Sequence, residues 1–321
     1  MKDKTRLEYL DAAKGLGILL VILGHIYAWN PNINRKILVT WIYSFHMPLF
    51  FIVSGMLIKY KNYCNIKEFI FSRIKHILVP YIVFSLCNAL VRILLYGYNE
   101  SAFIRDVICT FILIGVDTWF LQALFLAEIM FIVIRKIVKM NILICVIAVL
   151  FIFSLFITKE DRFLLQYFSR VFVSLGYITI GYKLMYFIQE KKVPNILLVG
   201  LCGVQVILAR YNTFVDLNNL VFNNKILYVI NSVVGATVII LILKNLNVKS
   251  RFLRYCGSNS LIIFATHGNL IYLFRKYINT NMHGYISGIG LMILIMLMEV
   301  PLIYIIHNYI PWIMGVQKQR K

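Results

Sequence analysis

Runs of about 20 apolar residues recur along the whole chain, separated by short polar or charged segments. Each run is long enough to cross a bilayer as a helix. The pattern predicts ten spans, at about 12–29, 40–58, 77–97, 119–137, 141–157, 168–188, 195–210, 226–243, 257–277 and 286–312. A shorter apolar piece at 103–116 is predicted to be re-entrant or interfacial. The first run is long, lacks a small-residue cleavage site and is followed by further spans, so it reads as a retained helix and not as a signal peptide. Spans and short loops use up the chain. Residues 1–321 are therefore read as one all-α polytopic membrane domain with no appended soluble domain.

Composition agrees: 61% of the 321 residues are hydrophobic, and the mean hydropathy is +0.81. The net charge of +20 would suit nucleic acid if the basic residues were clustered on one surface. Most of them instead fall on one side of the predicted topology, including Lys2, Lys4, Arg6, Lys14, Lys59, Lys61, Lys67, Arg73, Lys75, Arg135, Lys136, Lys139, Lys191, Lys192, Lys244, Lys249, Arg251, Arg254 and Lys318. The opposite loops hold few, among them Arg35, Lys36, Arg105 and Arg210. This positive-inside bias predicts cytoplasmic termini, an even number of spans and no nucleic-acid partner. The six cysteines are scattered with no CxxC spacing. They read as small buried residues, neither a disulfide frame nor a metal site.

Ionisable residues inside spans are costly and usually face a cavity with a purpose. His25, His46, Glu128, His267, Glu299 and His307 are such residues, with Arg92 and Arg170 near the middle of their spans. Lys14 and His25 are eleven residues apart, which is three helical turns plus roughly 20°, so they project from one face about 16 Å apart. Asp11 shares that face. A charged entrance with an imidazole at depth suits a long substrate with an anionic head, the shape of a coenzyme A thioester. The competing reading is a histidine that binds a neighbouring helix as polar glue. In "YSFHMPLFFIVSGMLIKY", Pro48 and Ser54-Gly55 are expected to break or loosen the helix beside His46. In "FSRIKHILVPY", Arg73, Lys75 and His76 could hold phosphates or simply anchor the span. Trp119, after Asp117, reads first as an aromatic-belt residue. Thr266, His267, Gly268 and Asn269 form a polar patch within an apolar helix, and Glu299 stands beside Pro301 in the last span. P-loop, GxSxG and HExxH motifs are absent.

Several of these stretches resemble the acyltransferase 3 family of integral-membrane O-acyltransferases. "RLEYLDAAKGLGILLVILGH" resembles its opening signature and "FHMPLFFIVSGML" its second-span motif. "RIKHILVPY", "TWFLQALF", "SNSLIIFATHG" and the Glu299–Pro301 pair follow in the family's order. The first two are closest to the branch labelled fucose 4-O-acetylase-like. The resemblance implies that His25 is the essential catalytic residue and that Lys14, where relatives often have arginine, handles the donor. It carries over Arg73. His76 stands where the family has a second arginine.

The resemblance also implies a multi-pass protein of a bacterial inner membrane that uses acyl-CoA, with acetyl-CoA the expected donor, and no metal. The acceptor is expected to be a hydroxyl of an envelope or exopolysaccharide sugar, polymeric or lipid-linked, with membrane lipids and glycan-assembly machinery as surroundings. Lys14, Arg73, Lys75 and His76 are then the donor-phosphate candidates. His46, Ser54, Trp119, His267 and Asn269 are the substrate-side candidates, with His46, Ser54 or Asn269 as oxyanion donors. His25 acts as a general base or as a transient acyl carrier. Either Glu299 or Asp11 is its carboxylate partner, and depth favours Glu299. A transporter, or a glycan-export or flippase subunit without acyl transfer, is the alternative.

Overall fold

A computed structural model of the protein describes residues 7–29, 37–61, 63, 65–97, 99–113, 118–190, 193–278 and 285–316. Asp117, Cys64 and the cations Lys2, Lys4, Arg6, Arg35, Lys36, Lys191, Lys192 and Lys318 lie outside these residues. The helices are α1 (Glu8–Ala28), α2 (Ile37–Lys61), α3 (Ile66–Arg73), a π-helical turn (Ile74–Leu78), α4 (Val79–Tyr96), α5 (Glu100–Phe111), α6 (Trp119–Ile137), α7 (Met140–Ser154), α8 (Phe163–Glu190), α9 (Asn195–Asn212), α10 (Lys225–Asn245), α11 (Arg251–Ser258), α12 (Ser260–Ile278) and α13 (Tyr285–Tyr309), then a 3₁₀ turn (Pro311–Met314). Among the described residues the β-structure is a single bridge, Asp216 to Val221.

Helices lie at all ten places that the hydropathy pattern marks, and among the described residues seven are long and apolar enough to cross a membrane. The other three are α7, which has 15 residues, α6, which carries Glu128, Arg135 and Lys136, and α12, which carries the 266–269 polar patch. Large apolar side chains cover the outer faces of the peripheral helices, for example Val149, Ile196, Val199, Leu297 and Tyr304. That is the outward face expected where the surrounding solvent is hydrocarbon. The chain is an all-α polytopic membrane protein.

The structure refines several boundaries. The expected break at Pro48 is not one, since α2 runs through it, and α13 likewise runs through Pro301. The third span begins earlier than hydropathy suggests. Asn65 accepts a bond from the Lys67 amide at 2.9 Å and starts the helix at Ile66. Pro80 has no N–H to offer the carbonyl four residues back. The turn before it widens, and the Val79 amide reaches the Ile74 carbonyl. The ninth span is split at Asn259, whose amide donates to the Tyr255 carbonyl at 2.9 Å and whose oxygen is 2.7 Å from His307 Nε2. His307 thus satisfies a helix break. The 103–116 piece is the short α5, docked on α4 by Arg92 and Asp106 at 2.5 Å.

Two backbone-close crossings set the centre of the bundle. A Cβ on Gly15 would lie 1.9 Å from the Leu253 carbonyl oxygen, and one on Gly257 would lie 1.8 Å from that of Asp11, so α1 and α11 touch main chain to main chain. Gly55 and Gly181 do the same for α2 and α8, each with a carbonyl oxygen 2.0 Å from the missing Cβ. Lipid tails are as apolar as leucine, so close approach of backbones holds membrane helices together better than apolar side chains alone. Gly257→Ala should therefore cost about 1–3 kcal/mol or more through overpacking. Gly203→Ala, which meets nothing within 4 Å, should be neutral. Thermal stability of the detergent-purified variants measures the difference.

Candidate active site

Two cavities lie end to end along α1, α2, α6 and α12. The first, about 370 Å³, is lined by Lys14, Ser54, Lys61, Arg73, His76 and Glu128 among others. The second, about 410 Å³, is lined by His25, His46, Trp119, His267 and Asn269 with polar groups from α4 and the α9–α10 loop. Each of the four helices contributes to both, as the Lys14–His25 spacing requires on α1. Between the cavities stand three rings. Phe120 packs against Phe50 at 5.6 Å and against Phe264 at 5.0 Å, centroid to centroid. Phe264 lines both spaces.

In the second cavity the geometry fixes a proton arrangement. His267 Nδ1 is 2.9 Å from the Ile263 carbonyl oxygen, so it must carry the hydrogen. With the ring neutral, Nε2 of His267 is then an acceptor. His25 Nδ1 is 2.8 Å from it and must donate. The lone pair of His25 therefore sits on Nε2, for which the described residues supply no hydrogen-bond partner. One backbone carbonyl thus sets the tautomer of two histidines in series. Trp29 stacks on the His25 ring at 5.4 Å and 5°. Arg275 of α12 caps the end of α1, donating to the Ile26 and Trp29 carbonyls at 2.7 Å each. His25 is thus held by its own helix and by α12. His46 Nδ1 is 2.9 Å from the Ile42 carbonyl, which leaves its Nε2 as the acceptor too.

The carboxylates fall elsewhere. Glu299 is fully buried and takes the Thr266 hydroxyl at 2.8 and 3.0 Å. The Ile262 carbonyl oxygen also lies 2.8 Å from that hydroxyl, whose single hydrogen the two acceptors share. Glu299 therefore locks α13 to α12, one residue from His267. Asp11 pairs with Lys14 at 2.8 Å. The partner beside His25 is an imidazole, not the carboxylate anticipated from depth, because a helix's angular setting cannot be read from depth alone.

The first cavity is equally reorganised. Arg73 meets Glu128 at 3.2 Å and the Tyr63 hydroxyl at 2.9 Å. Ser54 donates to the same carboxylate. This places Ser54 in the Lys14 cavity, on the other side of the aromatic rings from His25. Lys75 is exposed and lines neither cavity, while His76 lines the first and its Nδ1 bonds the Ser72 carbonyl at 2.8 Å. Lys61 lines the first cavity where Lys75 was expected to lie. Asn269 donates to Asn88 at 2.8 Å, and Asn88 to the Ala265 carbonyl at 3.2 Å, tying α12 to α4. In the sequence Glu128 reads as a costly charge with no evident partner. Tyr63 carries no signal there, whereas Asn88, a lone asparagine within the 77–97 apolar run, is a usable one.

Removing one member of a buried ion pair strands the other charge. Glu128→Ala should lose about 3–5 kcal/mol of stability. Arg73→Ala combined with Glu128→Ala should recover part of that loss. A double-mutant cycle on thermal stability in detergent reads the coupling.

A model of the acyltransferase domain, of the acyltransferase 3 type, matches residues 7–308. The match is to the family as a whole and does not select the fucose 4-O-acetylase-like branch. No curated protein and no solved structure matches the chain. The match covers α1, α2, α6 and α12, the four helices along which both cavities lie, and reaches Glu299 on α13. With that coverage, the chain belongs to the acyltransferase 3 family of membrane acyltransferases.

Proposed function

We propose that the protein transfers an acyl group, acetyl in the simplest case, from coenzyme A to a hydroxyl of an envelope-glycan sugar, with His25 at the reacting centre. The observation that carries this reading is the Ile263–His267–His25 chain, which leaves a lone pair on His25 Nε2 in a cavity. In the base mechanism, Nε2 takes the proton of the acceptor hydroxyl as its oxygen attacks the thioester carbon. The oxyanion then collapses, the C–S bond breaks, and the imidazolium returns its proton to the leaving thiolate. His267 Nε2 accepts the Nδ1–H of that imidazolium, the part a carboxylate plays in the serine–histidine–aspartate triad. In the carrier mechanism, Nε2 attacks the thioester carbon and the C–S bond breaks to release the thiolate; the acceptor oxygen then takes the acyl group, and its proton passes to the freed Nε2 and on to the thiolate. Asn269 is the oxyanion donor best supported, since Ser54 is bound to Glu128 in the other cavity.

Coenzyme A phosphates would lie by Lys14, Lys61, Arg73 and His76, on the cytoplasmic side in the positive-inside topology. The donor arm would pass the Phe50–Phe120–Phe264 rings to bring its thioester to His25. The helical rise between Lys14 and His25 is about 16 Å, a distance a flexible arm spans. A bacterial inner membrane and two cytoplasmic termini complete this reading.

Two expected outcomes test it. His25→Ala should lower acetyl-CoA-dependent ester formation at least about 100-fold, the usual worth of a general base, as measured by coenzyme A release and by base-labile O-acetyl signals on envelope glycans. Unchanged ester formation would remove His25 from the chemistry, and no coenzyme A release by the wild-type protein would favour transport. At position 267, glutamine can still accept the Nδ1–H of His25 and leucine cannot. His267→Gln should retain at least about tenfold more activity than His267→Leu at equal membrane level. Equal losses would make His267 a packing residue.

A further inference from the structure

The second cavity is unlike the first in its walls. Its aromatic lining includes Trp29, Trp119 and Tyr272, and its amides are Asn88, Asn218, Asn219 and Asn269. Rings that offer a face, with amides that both donate and accept, are what a polyhydroxylated ring needs: stacking for its C–H face and paired bonds for its hydroxyls. Its charged lining residues are Arg92 and Asp216. Arg92 pairs with Asp106 at 2.5 Å, a carboxylate that the exposed Arg105 also approaches at 3.7 Å. Asp216 takes only neutral donors: the Asn218 amide at 2.9 Å, the Asn219 amide at 3.4 Å and the Asn219 side chain at 2.7 Å. The neighbouring cation, Arg170, gives its Nε to the Asn218 carbonyl at 2.7 Å. Among the described residues no cation comes within ion-pair distance of Asp216.

The loop that carries Asp216 is built to keep it in place. Asp216 and Val221 exchange two backbone bonds of 2.8 Å. Val215, Leu217, Leu220 and Phe222 are buried beneath the loop. Asn212 reaches across to the Phe222 carbonyl at 3.2 Å. A second carboxylate brought close to the half-buried Asp216 would be repelled, and at an effective dielectric constant of about 20 that repulsion is worth more than a factor of ten in affinity.

We infer that the second cavity is an acceptor subsite for a neutral polyhydroxylated ring, and that Asp216 on the α9–α10 loop selects against acidic sugars. The inference rests on the acyl-transfer reading for the word acceptor, but the binding preference stands apart from it.

The test uses the full chain in lipid nanodiscs at pH 7. Methyl β-D-glucoside and methyl β-D-glucuronide serve as probes, followed by saturation-transfer NMR and tryptophan fluorescence. The neutral glycoside should bind at least about tenfold more tightly than the uronate. Asp216→Asn keeps the side-chain oxygen that caps the turn and removes the charge, so it should close the gap to within about threefold, with neutral-glycoside binding reporting an intact cavity. Asn218→Asp, which adds a charge at the same lip, should widen the gap and serves if Asp216→Asn does not fold. Equal binding of the two probes by the wild-type protein, failure of both to bind, or a gap unmoved by either variant would overturn the inference. Coenzyme A release is followed in the same preparation. Glycoside binding with no release would overturn acyl transfer and leave the subsite, whereas ester formation with no charge preference would do the reverse.

Discussion

In hydrocarbon, a polar group without a partner costs more than most packing contacts return. Nearly everything at the centre of this protein follows from that constraint. Arg73 is held by Glu128 and Tyr63, Arg92 by Asp106, and the break at Asn259 by His307. Glu299 is held by Thr266. Each of these bonds joins different helices or segments, so each also fixes how two elements sit against one another. The helices cannot rotate about their axes without stranding a charge or an amide. This matters more here than in a soluble bundle, where burial of apolar surface would hold the same elements in place.

The histidines of the second cavity add a relay of their own. The carbonyl of Ile263 consumes one nitrogen of His267, His267 consumes one nitrogen of His25, and the last nitrogen in the chain has no hydrogen-bond partner among the described residues. A buried chain of this kind holds its geometry before any substrate arrives, which is what a proton acceptor at a reacting centre requires. The partner is an imidazole, so the arrangement orients His25 without placing a carboxylate beside it. Glu299, which could have supplied that carboxylate, is instead spent on holding α13 against α12. The two cavities then divide the work by chemistry. Paired cations collect on the side of Lys14 and Arg73, while histidines, aromatic rings and amides collect on the side of His25. Three phenylalanines lie between them.

Much of this was legible in the chain itself. Apolar runs of span length mark the helices, because the thickness of a bilayer sets a length that composition must match. The Lys14–His25 spacing puts both side chains on one face by helical period alone. The short motifs around His25 and His46 resemble the acyltransferase 3 family, and the family match over residues 7–308 agrees. The cost of charge in a membrane singles out His25, His46, Glu128, His267 and Glu299 with no knowledge of their partners.

The partners themselves belong to the tertiary structure. Hydropathy and period constrain a helix along its axis and around it, but they say nothing of which neighbour it faces. Only the assembled bundle decides that His25 meets His267, 242 positions away, and that Ser54 turns to Glu128 on the opposite side of the rings. The π-helical turn before Pro80 leaves His76 on the cavity and Lys75 outside it, a difference of one residue that span-length patterns do not resolve. The loop with Asp216 reads as a polar connection in the sequence, and it becomes a wall of the second cavity only because α9 and α10 carry it over the end of α2. The sequence determines which groups are too costly to leave alone. The fold determines who answers for each of them, because that choice depends on distances between segments far apart in the chain.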